Sequence, residues 1–137
     1  MERFFTDAFL NMLQQEQENF YKSVFLNMEG EYAAKKRIEY YRQKLRHLGN
    51  NVYIGCNVSI KNPQFISIYD DVYISDHCVL IAHGEKGITL EKGVRLKYGV
   101  YLDTEGPDGY IVIGQNVYVG TGCCLHGHKG LEIGDYS

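Results

Sequence analysis

Residues 111–137 read IVIGQNVYVGTGCCLHGHKGLEIGDYS, and an aliphatic residue followed by glycine recurs in them at Ile113-Gly114, Val119-Gly120 and Ile133-Gly134. The first two pairs lie six residues apart. Followed back along the chain, the same step marks Ile54, Ile60, Ile68, Ile74, Leu80, Leu90, Leu96, Leu102, Ile113, Val119, Leu125 and Ile133. Within a group the step is six; Ile68, Leu90, Ile113 and Ile133 open successive groups 22, 23 and 20 residues apart. Repetition of this kind indicates a solenoid, in which each unit buries its apolar side only against the next.

Most of these key residues have an apolar partner two positions earlier, such as Val52, Val72, Val94 and Val117. Two inward residues around one outward residue make a very short strand. Three positions after the key residue stand Asn57, Asp71, His77, His83, Gly93, Gly99, Asn116, Gly122 and His128. These types tolerate the left-handed backbone that a tight corner requires. Each hexad is therefore one strand and one turn, and three hexads close a triangular coil. The spacing predicts a mainly β chain over residues 50–137, about four coils of parallel β-helix, with Ile68, Leu90, Ile113 and Ile133 in one column.

The period before this is different. Residues 4–48 have helical spacing: in EYAAKKRIEYYRQKLRHLGN, Ala34, Ile38, Tyr41, Leu45 and Leu48 form one apolar stripe. Thr6 is the expected N-cap, NMEGEY divides two helices, and Gly49 ends the second with a left-handed cap. Residues 1–49 thus form a helical segment ahead of the β-helix. Lys35, Lys36, Arg37, Arg42, Lys44 and Arg46 are read as its solvated face.

Composition narrows the function. The formal charge of −3 gives no pull toward nucleic acid, and no apolar run approaches a membrane span. The N-terminus lacks a signal-peptide pattern, and Cys56, Cys78, Cys123 and Cys124 have no CxxC spacing, so a reducing cytoplasm is expected. Cys78 and Cys123 fall at inward positions and read as packing; Cys124 points outward. The outward residues of one prism face, Tyr53, Tyr73, Arg95 and Tyr118, form a ladder of large side chains expected to be covered by the N-terminal helices or by a sister subunit.

The insertions that lengthen the groups all fall at one corner: IAHGEKG after Leu80, DTEGPDGY after Leu102 and HGHKG after Leu125. Stacking brings His83, then Asp103, Glu105 and Asp108, then His126 and His128, along one edge. A carboxylate beside an imidazole orients it and raises its basicity. His83 and His128 sit at the corner position, where a plain turn role is the competing reading. His126 follows the key aliphatic residue and points outward.

IGCNVSI, IYDDVYISDHCVL, IGQNVYVGTGCCL and IGDYS resemble the hexapeptide-repeat acyltransferases, a left-handed parallel β-helix superfamily, over residues 52–137. The arrangement looks most like the sugar O-acetyltransferases of the maltose and galactoside type. That resemblance implies a left-handed coil and a homotrimer with active sites between subunits. It also implies acetyl transfer from acetyl-CoA to a sugar hydroxyl or amine, with a histidine as general base. From their place on the edge, His126 and His128 are the candidate catalytic residues within these 137, and His83, Asp103 and Glu105 the candidate acceptor-binding residues; no metal is called for. The chain stops at Ser137 inside a hexad without a cap. The expectation is a truncated β-helix, with the family's catalytic histidine one coil beyond His128 and little activity in these 137 residues alone. Two alternatives stand beside this reading. One is a non-catalytic scaffold. The other is a metal enzyme resembling gamma-class carbonic anhydrases, in which VGTGCCLHG would supply His126 but carries Thr121 in place of the first ligand.

Overall fold

A computed structural model describes residues 7–137. Thr6, and with it the expected N-cap, lies outside the described residues. Two helices, α1 (Asp7–Phe25) and α2 (Glu31–Arg42), precede short strands: β1 (His47–Leu48), β2 (Tyr53–Ile54), β3 (Ser59–Lys61), β4 (Ile66–Ile68), β5 (Tyr73–Ile74), β6 (Val79–Ile81), β7 (Ile88–Leu90), β8 (Arg95–Leu96), β9 (Tyr101–Asp103), β10 (Ile111–Ile113), β11 (Tyr118–Val119), β12 (Cys124–His126) and β13 (Leu131–Ile133).

Every third strand joins the same sheet. The three sheets run β1-β4-β7-β10-β13, β2-β5-β8-β11 and β3-β6-β9-β12, and all their pairings are parallel. Leu48, Ile68, Leu90, Ile113 and Ile133 pair in register and form the expected column. Ile54, Ile74 and Leu96 fill a second column, and Leu80 and Leu102 a third, all fully buried. Each such side chain contributes about 1.5–3 kcal/mol by leaving water. The result is a parallel β-helix of about four turns that fits the left-handed hexapeptide class.

Two corners are uniform. Asn57, Asp71, His77, Asn116, Gly93, Gly99 and Gly122 take the left-handed backbone there, as the hexad spacing predicts, and Asn51 and Tyr136 do so as well. Carboxylates also bind one coil to the next: Asp70, Asp76 and Asp135 each accept the backbone N–H of Asn50, Cys56 and Gln115, at 2.8, 2.9 and 2.7 Å. The third corner differs. Its left-handed residues are Asn62, Gly87, Glu105 and Gly130, while His83 and His128 do not adopt that conformation. The turn reading of these two histidines is thereby corrected. The insertions move the sharp bend elsewhere in each loop and leave both residues in ordinary backbone.

The helical segment is shorter than its apolar stripe implies. α2 ends at Arg42, and Leu48 lies in β1, paired with Ile68. The β-helix therefore begins at His47, before the boundary at residue 50. Gly49 does not cap a helix with a left-handed backbone; it lies where a Cβ would collide with Asp70 of the next coil. The face that α2 buries carries Ala33, Arg37 and Tyr41 rather than Ala34 and Ile38 alone. Among the described residues, no helix is long and apolar enough to cross a membrane.

Arg37, read as part of a solvated face, is 1% exposed. Its Nε–H donates to the Ile54 carbonyl at 2.7 Å, and Nη1 donates to the carbonyls of Met28 and Phe25 at 2.7 and 3.2 Å. One planar fork thus ties the α1–α2 connection to β2. Arg42 donates to the Leu48 and Gly49 carbonyls, Arg46 to those of Gln64 and Glu85, and Lys44 pairs with Glu18. Most of the basic cluster is thus engaged in internal bonds.

The tyrosine ladder forms in part as expected. Tyr53 and Tyr73 stack at 4.8 Å, the Arg95 guanidinium lies 5.7 Å from the Tyr73 ring centre, and Lys97 lies 5.8 Å from that of Tyr118. The helices do not cover it. α2 packs against β2, where Tyr53 is half-buried, but Tyr73 and Tyr118 remain 36% and 59% exposed. Cys123 also departs from its packing role: it is exposed, because its strand neighbour β12 is the edge of its sheet.

Candidate functional site

The lengthened corner follows β3, β6, β9 and β12, which stack in one sheet. Register places His126 beside Asp103, and Asp103 beside Ile81, two residues before His83. Alternation along β9 turns Tyr101 and Asp103 to the same outward side. The sequence pattern therefore delivers two histidines, two carboxylates and a phenol to one edge.

They form a connected network. His83 donates from Nε2 to Asp103 Oδ1 at 2.9 Å. The assignment of the donor follows from the carboxylate, which only accepts. The Tyr101 hydroxyl donates to Asp103 Oδ2 at 3.1 Å, and the Glu105 backbone N–H to Asp103 Oδ1 at 2.7 Å. The Glu105 carboxylate in turn pairs with His126 Nδ1, and the His126 ring lies 5.8 Å from that of Tyr101. The His83 backbone N–H donates to Oγ1 of the fully buried Thr104 at 3.0 Å, which holds the loop in place.

Asp103 is the centre of this network and is 16% exposed. Burial alone would raise its pKa, but the Glu105 N–H, the Tyr101 hydroxyl and His83 together hold it below the ordinary carboxylate value. The same bond pushes the Tyr101 phenol up, because the proton it donates stabilises the neutral form. The two histidines keep opposite ring atoms available. His83 leaves Nδ1 free of the carboxylate, and His126 leaves Nε2, with side chains 39% and 48% exposed. An imidazole held through one nitrogen with the other open is the arrangement a general base requires.

The depressed Asp103 has a consequence for stability. Its contribution is fully present above the unfolded-state pKa and is lost as pH falls through the lower folded value. The urea midpoint of the wild-type chain should therefore fall as pH drops below about 4. Asp103→Asn should lower the midpoint at neutral pH and flatten that acid limb. Parallel acid limbs in the two proteins would show that Asp103 does not report the network.

The structure gathers His83, Asp103, Glu105 and His126, four of the five residues singled out for this site. His128 lies apart, lining a cavity with Lys86, Gly106, Pro107, Asp108 and Lys129. Tyr101 and Thr104 were not foreseen as site residues. Tyr101 had a legible signal, being two positions before Asp103 on one strand; Thr104 had none, since its hydroxyl serves a backbone group twenty-one residues away. No three of His, Cys, Asp and Glu among the described residues gather as a metal-holding group. No family model, curated protein or solved structure gives a match to this chain.

Proposed function

We propose that this protein is an acyltransferase that moves an acetyl group from acetyl-CoA to a hydroxyl or amine of a sugar or similar small acceptor. The observation that carries this is the His–carboxylate network on the lengthened corner of a parallel β-helix. The hexad resemblance supports the choice of donor. In this reading His126 is the base. Glu105 holds Nδ1, and Nε2 removes the acceptor proton as the oxygen attacks the thioester carbonyl. The carbon–sulfur bond then breaks, and the thiolate leaves as the coenzyme thiol, taking up a proton. Asp103, His83 and Tyr101 frame the acceptor side. The uncovered ladder of Tyr73, Arg95 and Tyr118 is the face offered to a sister subunit in a homotrimer.

The test is release of free thiol from acetyl-CoA with a panel of sugars and amino sugars, alongside oligomeric mass in solution. Acceptor-dependent thiol release supports the reading. Binding of neither acetyl-CoA nor any acceptor by the assembled protein would favour a non-catalytic scaffold instead.

A further inference from the structure

The cavity beside His128 has a volume of about 390 Å³ and is built from three stacked loops, those after β6, β9 and β12. It is lined by Lys86 from the first, Gly106, Pro107 and Asp108 from the second, and His128 and Lys129 from the third. The loops are tightly apposed. A Cβ on Gly84 would collide with the Pro107 carbonyl, and one on Gly127 with the Tyr110 carbonyl. A Cβ at Gly106 would lie 3.6 Å from His128 Nδ1, so the ring abuts the second loop. The Lys86 ammonium lies 5.5 Å from the Tyr110 ring centre.

The charges here are not neutralised from within. Among the described residues, neither Lys86 nor Lys129 has a carboxylate within 4.0 Å, although Asp108 lines the same cavity. His128 likewise lacks a carboxylate partner, whereas His83 and His126 each have one. Two lysines and a histidine therefore line one concavity, against the single carboxylate of Asp108, a few residues from the His126 network. Such a set recognises an oxyanion by charge and by donated hydrogen bonds.

We propose that this cavity is an oxyanion subsite that takes a phosphate or carboxylate borne by the acceptor, so that the substrate is an anionic sugar rather than a neutral one. The inference rests on the acyltransferase reading for its meaning, but the site can be tested without turnover. Inorganic phosphate is titrated into the assembled protein while the imidazole resonances are followed by NMR. The His128 resonance should shift saturably, with little change at His126. Lys86→Met and Lys129→Met should each weaken that binding by roughly tenfold, the worth of one charge-assisted hydrogen bond. A second arm compares acceptors with and without a phosphate or carboxylate group. Lys86→Met should raise KM for the anionic acceptor and leave KM for acetyl-CoA unchanged. No saturable shift at His128, or a rise confined to the KM for acetyl-CoA, would overturn the subsite; the second outcome would assign the anion to the donor. Phosphate binding at His128 without transfer to any acceptor would instead sink the acyltransferase reading alone.

Discussion

Arg37→Ala should lower the unfolding free energy by about 2–4 kcal/mol, a large share of what a domain of this size possesses. The cause is not lost charge pairing, since the guanidinium bonds to three backbone carbonyls and no carboxylate is among those bonds. Removing it leaves a cavity and takes the guanidinium donor from the buried Ile54 carbonyl, a loss of about 1–3 kcal/mol, while the Met28 carbonyl keeps the Cys56 thiol as a donor. The helical segment should release first, because the fork joins the Phe25–Met28 connection to β2. Urea unfolding followed by the helical circular dichroism signal would show an early transition that the β-helix does not share. Arg37→Lys should recover little, since one ammonium cannot reproduce a planar fork. A loss below about 1 kcal/mol would mean that water satisfies the carbonyls and that the fork is incidental.

His126→Ala should cut kcat by about 100- to 10,000-fold in the assembled, active protein, the usual contribution of a positioned general base. KM should move much less, because the residue acts on the reacting proton. Glu105→Gln should cost about tenfold or more by releasing the ring from its orientation. Unchanged turnover would remove His126 from the chemistry. A collapse in His83→Ala instead would assign the base to the other imidazole, with Asp103 as its partner.

The fold was legible because a six-residue step admits few structures, and because the aliphatic columns need only sequence position to be recognised. The end of α2 was not legible. Leu45 and Leu48 continue a helical stripe at steps of three and four, yet Leu48 is also twenty residues before Ile68, one short coil away. Both periods fit the same leucine, and pairing with Ile68 decides between them. Arg37 escaped for a related reason: pattern reading assigns a charged residue to solvent, whereas three backbone carbonyls within reach of its guanidinium make burial favourable. At the corner, stacking foresaw the meeting of His83, Asp103, Glu105 and His126 because register fixes which residues are neighbours. The tyrosine face shows the limit of that method. Register predicts the ladder but not what lies over Tyr73 and Tyr118.

The aspartate bridges from coil to coil have a practical outcome. Asp70, Asp76 and Asp135 close the chain with the same bond to a backbone N–H twenty residues earlier, at corners that carry no insertion. The third corner meanwhile admits loops of unequal length without shifting the register of the strands on either side. Lengthening a flexible loop is thermodynamically mild, about 0.6 kcal/mol per doubling. The molecule is thus a ruler with one writable edge: recognition sequences can be grafted after β6, β9 or β12, and new specificity can be installed without redesigning the shaft that carries it.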